Sequence, residues 1–238
     1  PGHGLAVRYL LDRAIFPPSA ALTFERVERR ARELAHLFAG LQVTVLDEPS
    51  GRATEVVAPA GLADWLASAL PPGAIGPIHA IGRRHDAEHG DVRVEAALAW
   101  CPDARAAERR FVEVWPVIRR RSTGPHLASY ANAELTRDGG DHAVGLREGA
   151  EAAFERLGVD TEAGAWRDGL VGVVSVFGDL SFHGSTRDRL SSPRARELVS
   201  SVVQSAVRAW AREEPGSLDD LRRGTGARAP RERRRWRR

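Results

Sequence analysis

The chain holds 238 residues, 42% hydrophobic and 28% charged, with a net charge of only +3 although all 35 of its basic residues are arginine; that size suits one large domain or two small ones. It has no run of about 18 apolar residues, and no charged start followed by an apolar core, so neither a membrane span nor a signal peptide is expected. A single cysteine, Cys101, excludes an internal disulfide and fits a reducing compartment, and no Cys or His pair has the spacing of zinc ligands.

From the N-terminus, "GLAVRYLLD" reads as a short strand, and the prolines of "AIFPPSA" end it. Residues 21–40 place Phe24, Val27, Ala31, Leu34, Ala35 and Leu37 at helical spacing, with Gly40 as a C-cap. "LQVTVLDEPSGRATEVVAP" alternates about Pro49-Ser50-Gly51, which predicts a hairpin with Val43 and Val45 on one face. "AGLADWLASAL" is a short helix stopped by Pro71-Pro72. "PIHAIGRRH" and "DVRVEAALAW" are strands about an acidic turn. "DARAAERRFVEVWPVIRRR" is a helix interrupted near Pro116 or an ordered insertion. "LASYANAELT" reads as one strand. A helix follows "DGG", with Gly158 just beyond its end. "GLVGVVSVFGDL" is apolar almost throughout, the pattern of a central strand buried on both faces. "SPRARELVSSVVQSAVRAWAREEPG" is a long amphipathic helix with Ser191 or Ser192 as N-cap and Pro193 in its first turn. From Gly224 onward Gly, Pro and Arg dominate and disorder is expected. Strands and helices mix without strict alternation, so the fold class is α+β, with helices on a mixed sheet.

Two loops have chemical character. "TRDGGDH" sets Gly139, Gly140 and His142 at a strand-to-helix junction. Its backbone N–H groups could hold an anion; equally, the glycines simply turn the chain and His142 caps or packs. "FHGSTRDRL" offers a flexible Gly184, the hydroxyls of Ser185 and Thr186, and the permanently charged fork of Arg187, a shape suited to phosphate. The plainer alternative is a surface loop whose Arg187 meets Asp188 or solvent. The Arg-rich stretches "RRFVEVWPVIRRRSTGPH" and "APRERRRWRR" read either as solvated segments or as contacts for a polyanion.

In order, these segments resemble one family. "DGGDHAVGLREGAEAAF" is similar to the Gly-Gly-Thr-His-x-x-Gly-Phe segment of bacterial DNA gyrase B subunits and their topoisomerase IV counterparts, and "SYANAELT" to the Ser-Phe-x-Asn that precedes it. "WRDGLVGVVSV" resembles Val-Arg-Glu-Gly-Leu-x-Ala-x-Ile-Ser-Val. "FHGSTRDRL" resembles Phe-Glu-Gly-Gln-Thr-Lys-x-Lys-Leu. "RARELAHLFAGLQVTVLDE" and "GLAVRYLLDRAIF" also have counterparts, so the likeness covers about residues 4–223. Several positions depart from the pattern. Arg187 stands for Lys, Ser185 for Gln, Leu5 for Thr and Asp141 for Thr, and "DARAAERRFVEVWPVIRRRSTGP" has no clear counterpart.

The resemblance implies the transducer domain of a type IIA topoisomerase B subunit, a ribosomal-protein-like βαβ fold. Residues 1–16 would be the end of a GHKL ATPase domain, contributing its last strand. Residues 17–223 would be the transducer, and 224–238 a basic, disordered tail. It implies that Arg187 reaches the γ-phosphate of ATP held with Mg2+ in the neighbouring domain. Ser185, Thr186 and Gly4 would be its companions at the nucleotide, and Arg119, Arg120 and Arg121 would meet duplex DNA. Further implied partners are a gyrase A-type subunit and the ATPase and Toprim parts of the B subunit, in the cytoplasm at the nucleoid. No counterpart of the catalytic Glu, the nucleotide lid or the Toprim acidic cluster is present in these residues. The chain alone is therefore expected to be an inactive monomer that binds no nucleotide tightly. Pro1 in place of a starting Met reads as a fragment or a trimmed chain. The alternative implied by the departures is a gyrase B-like paralogue acting as a non-catalytic DNA-binding or protein-interaction module.

Overall fold

The computed structural model describes residues 3–17, 20, 22–86, 90–116 and 125–225. Its elements are α1 (Phe24–Leu37), β1 (Val43–Asp47), β2 (Arg52–Val56), α2 (Leu62–Ala69), β3 (Ile75–Asp86), β4 (Gly90–Trp100), α3 (Ala104–Val114), β5 (His126–Ala131), β6 (Glu134–Leu135), α4 (Asp141–Arg156), α5 (Gly164–Gly169), β7 (Leu170–Phe177), α6 (Pro193–Glu213) and α7 (Pro215–Thr225). β1 and β2 form the expected hairpin. The other strands form one sheet in the order β3-β4-β7-β5-β6, antiparallel except between β7 and β5. The mixed sheet expected from the sequence is present.

Apolar patterning explains the layers. β7 is buried along nearly its whole length, as its continuous apolar run requires. On one face of the sheet, Leu146 and Ala150 of α4 and Leu198, Val199 and Val203 of α6 pack against Val94, Val174 and Val176. On the other face, Leu62 and Leu66 of α2 and Phe111 of α3 pack against Ala97, Val171, Val173 and Tyr130. Trp65 joins the two helices here, stacking on His36 and tilting against Trp115 and Tyr130. Cys101 is fully buried in this second core, and burial pushes its thiol up to about 12.

α4 and α6 approach more closely than side chains normally allow. A Cβ added at Gly145 would lie 2.5 Å from the Arg196 carbonyl oxygen, and one at Gly149 would lie 2.8 Å from that of Ser200. Both contacts are to backbone, so glycine is required at these positions.

Three sequence expectations are corrected. "GLAVRYLLD" is no strand: residues 3–11 belong to no ladder, and Leu5 and Leu10 are almost fully exposed. A strand exists only as a pairing, and no strand pairs with this segment among the described residues, although Arg8 meets Glu48 in an ion pair at 2.7 Å. "LASYANAELT" is two strands, β5 and β6, folded about Asn132 and Ala133, both at positive φ (50° and 65°). The Asn132 amide holds this turn by donating to the Gly178 carbonyl and accepting from the Gly178 N–H, both at 3.0 Å, while Arg30 of α1 donates to the Ala133 carbonyl at 3.0 Å. Finally, ordered structure passes Gly224. α7 runs to Thr225, buries Leu218 and Leu221, and lets Arg222 donate to the Leu157 carbonyl at the C-terminus of α4. The remainder of the predicted tail, 226–238, lies outside the described residues, as do Arg119, Arg120 and Arg121.

An alanine in the left-handed region is strained, so Ala133→Gly is expected to stabilise the fold by about 0.5 kcal/mol after glycine's greater unfolded-state entropy is subtracted. Urea midpoints of the two proteins check this; a lower midpoint for the glycine variant would overturn it.

Candidate functional site

The chain between β7 and α6 is a loop with a knitted base and an open tip. Leu190 is the knot. It bridges Gly140 on one side and Phe182 on the other. Its N–H donates to the Gly139 carbonyl at 3.0 Å, and its own carbonyl accepts from the Asp141 N–H at 3.1 Å. Above it, the Asp138 N–H donates to the Asp188 carbonyl and the His183 N–H to the Arg189 carbonyl, both at 2.9 Å. Gly140 makes the close approach possible: its φ is 128°, and a Cβ there would lie 2.3 Å from the Leu190 oxygen. The two loops singled out in the sequence are therefore one structural unit.

The tip carries Gly184, Ser185, Thr186 and Arg187, all exposed. Gly184 has φ 82°, and Arg187 itself sits at φ 57°, a conformation that costs a non-glycine residue about 1 kcal/mol. The Arg187 guanidinium lies 5.4 Å from the centre of the Phe182 ring and has no ion pair among the described residues. Of the plainer alternative's two readings, Asp188 or solvent, the structure shows Arg187 exposed to solvent and not paired with Asp188. Strain at an exposed cation over an aromatic ring is a pre-set posture rather than a random one.

At the helix N-terminus beside this loop, the Asp141 N–H is taken by the Leu190 carbonyl. His142 packs, as one of its two sequence readings had it. It is fully buried, and its Nε2 lies 3.1 Å from Thr136 Oγ1. Thr136 Oγ1 donates to the Ser129 carbonyl at 2.8 Å and so can only accept from the ring. That assigns the proton to Nε2 and leaves Nδ1 a buried acceptor without a partner among the described residues. Burial pushes the ring down to about 3, so it is neutral.

Beside the loop an open groove of about 1100 Å³ runs between α3 and α4. Thr186 and Arg189 stand at one end, with Arg137; His126 and Arg167 also line it. Burial lowers the pKa of His126, which is 8% exposed. Neither the groove nor the role of Leu190 was visible in the sequence. The only local hint was a lone apolar residue, Leu190, in an otherwise polar loop.

Of the predicted nucleotide contacts, Ser185, Thr186 and Arg187 share the loop tip. Gly4 lies apart, on the exposed N-terminal segment, where an added Cβ would meet nothing within 4 Å. Among the described residues no group of three or more His, Cys, Asp or Glu could hold a metal ion, and no helix is long and apolar enough to cross a membrane.

The profile of the family described as DNA gyrase B matches residues 112–237. The chain is 28% identical over 233 residues to the DNA gyrase B protein of Archaeoglobus fulgidus, covering 92% of this chain and 32% of that protein. Against the DNA gyrase B protein of Synechocystis the identity is 27% over 235 residues, covering 92% and 20%. The chain thus spans a third or less of these relatives' length. Among solved structures, the B-subunit of the DNA gyrase from Myxococcus xanthus matches with a TM-score of 0.60 at 27% identity, covering 84% of this chain and 60% of that one. The 43K ATPase domain of Thermus thermophilus gyrase B, in complex with an aminocoumarin, matches with a TM-score of 0.67 over 90% and 55%; at 23% identity this is a likeness of fold.

Proposed function

The chain belongs to the DNA gyrase B family, and on that premise we propose that it is the transducer portion of an ATP-dependent type II DNA topoisomerase B subunit. In this reading Arg187 touches the γ-phosphate of ATP bound in an adjoining ATPase domain. The observation that carries it is the posture of Arg187: exposed, without an ion pair among the described residues, and held at positive φ on a tip whose base is knitted to α4 and continues into α6. A planar cation fixed in that way can report a terminal phosphate to two long helices at once. Ser185 and Thr186 add hydroxyls at the same tip.

The residues present fit one end of a nucleotide. Gly4, proposed for the adenine end, is not brought to the loop. Mg2+ would arrive with ATP. The proposed partners are duplex DNA, contacted by Arg119, Arg120 and Arg121, a gyrase A-type subunit, and the ATPase and Toprim parts of the B subunit, in the cytoplasm at the nucleoid.

The test is a chimera in which residues 3–225 replace the matching segment of Archaeoglobus fulgidus gyrase B. Arg187→Ala is expected to slow its ATP turnover at least about tenfold, the effect of removing one cation from a phosphoryl-transfer site. Unchanged turnover would defeat the phosphate role. The second reading, a non-catalytic DNA-binding or interaction module, would then stand; the departures at Leu5 and Ser185 favour it.

A further inference from the structure

The ladder between β5 and β7 ends at Ala131↔Val176, and a side chain carries it one rung further. There the main chain leaves the sheet to turn into β6, with the Asn132 N–H donating to the Val176 carbonyl at 2.8 Å. The Asn132 side-chain amide takes the part of the next peptide group. It donates to the Gly178 carbonyl and accepts from the Gly178 N–H, both at 3.0 Å. One side chain thus grips both backbone groups of one residue, which fixes orientation as well as position. Asparagine suits the place because it tolerates a φ of 50° and offers a donor and an acceptor in one plane. The turn is backed by α1, whose Arg30 reaches the Ala133 carbonyl at 3.0 Å and the Glu134 carboxylate at 3.2 Å.

Gly178 is the root of the loop that carries Arg187. On the loop's outgoing side, Leu190 bonds to Gly139 and Asp141, and Asp188 accepts from Asp138. These contacts run along one edge of the tip, so by themselves they define an axis about which the tip can swing. Among the described residues, the backbone bonds of the incoming side go to the outgoing side alone: Ser181 accepts from Ser191, and His183 donates to Arg189. Leu180 and Phe182 rest against the core, but apolar contact is not directional. The grip on Gly178 is the hydrogen-bonded point off that axis, and it sets the angle of the tip.

We infer that Asn132 is a positioning residue for the Arg187 loop: its grip on Gly178 fixes the angle at which the tip presents the guanidinium. The effect on turnover rests on the phosphate role of Arg187 proposed above, whereas the posture itself can be read without nucleotide. A cation at the end of a loop is sensitive to a shift at its root, and a misplacement of about 1 Å can cost up to about a hundredfold in rate. Asn132 touches no nucleotide in this reading. It acts through Arg187, so its effect disappears when Arg187 is removed. Asn132 is also exposed, so the loss of its two bonds leaves the core seated.

Two variants test this. Asn132→Gly keeps the left-handed turn free of strain while removing the amide. Asn132→Asp keeps the acceptor for the Gly178 N–H but sets a second acceptor against its carbonyl. In the ¹⁵N-labelled chain a nitroxide is attached at Ser185→Cys, and the fully buried Cys101 stays unlabelled. Each variant is expected to change the paramagnetic broadening of the Asp141, His142 and Ala143 amides at least about twofold with the melting temperature retained, so that either suffices if the other fails to fold. In the chimera described above, each should lower kcat at least about fivefold while KM for ATP stays within about twofold, and neither should lower kcat further once Arg187→Ala is present. Unchanged broadening in both variants would mean that the Leu190 knot alone sets the posture, and would overturn the inference. So would a loss of turnover that persists in full without Arg187, or a raised KM with kcat unchanged. Turnover indifferent to Arg187→Ala would instead defeat the phosphate reading, and the broadening would then decide the role of Asn132 by itself.

Discussion

Gly140→Ala is expected to cost about 3 kcal/mol or more, among the larger losses a single methyl group can cause. Two penalties add. The backbone sits at φ 128°, where an L-residue is strained. The new Cβ would also lie 2.3 Å from the Leu190 oxygen and 2.5 Å from its nitrogen, neither of which can swing aside as a side chain could. Relief requires parting the two loops, which breaks the bonds from Leu190 N–H to Gly139 and from Asp141 N–H to Leu190. Gly184→Ala is the control. Its φ of 82° is nearer the left-handed well and carries a milder backbone strain, and nothing lies within 4 Å of the added methyl, so about 1 kcal/mol is expected there. Denaturant titration of the two variants compares a strained and crowded position with a mildly strained open one. Equal losses would mean that the loop base is not knitted as described.

Acid should weaken the fold through His142. Its folded pKa is depressed to about 3 by burial, whereas an unfolded histidine titrates near 6.5. Below that value the unfolded chain takes up a proton that the native ring refuses. The stability is therefore fully present above about 6.5 and is lost as the pH falls toward 3. From pH 7 to pH 5 the loss from this one ring is about 2 kcal/mol. His126 and His36, also lowered by burial, act in the same direction. His142→Gln keeps an N–H for Thr136 but cannot titrate. Urea unfolding at pH 7 and pH 5 should show the variant losing about 2 kcal/mol less than the parent between the two. An identical pH slope would mean that His142 is not the buried neutral group described.

Much of the fold was legible because its signals are local. The apolar run of β7, the amphipathic period of α6 with Ser192 and Pro193 at its start, and Gly158 at φ 80° just past α4 are each written within a few residues. The Arg187 loop was also found, though its interest came from a family likeness more than from its composition. What escaped the sequence is pairing at a distance. Nothing in "LASYANAELT" says that only half of β5 is covered, or that Asn132 clasps Gly178. α7 was hidden by Pro215, Gly216 and Gly224, residues that usually end helices. Tertiary contacts override them here: Leu218 and Leu221 are buried, and Gly224 lies against the Trp100 ring, where a side chain would collide. The N-terminal segment failed in the opposite sense, since "GLAVRYLLD" reads as a strand although nothing among the described residues pairs with it.

The contact between α4 and α6 gives the two helices unequal freedom to change. At Gly145 and Gly149 even one methyl would strike the opposing backbone, so α4 has a single admissible residue at each place. The surface it meets on α6 is main chain, which every residue possesses; of the side chains there, Ser200 accepts from Gln204 of its own helix, while Arg196 reaches back to α4 in an ion pair with Glu148. Mutation can therefore rewrite α6 at these positions at the cost of no more than one exposed ion pair, about 1 kcal/mol or less, whereas the partner positions on α4 are fixed. The helix that leads away from the Arg187 loop is thus the one whose outer chemistry can be refitted to a new neighbour while its seat stays the same.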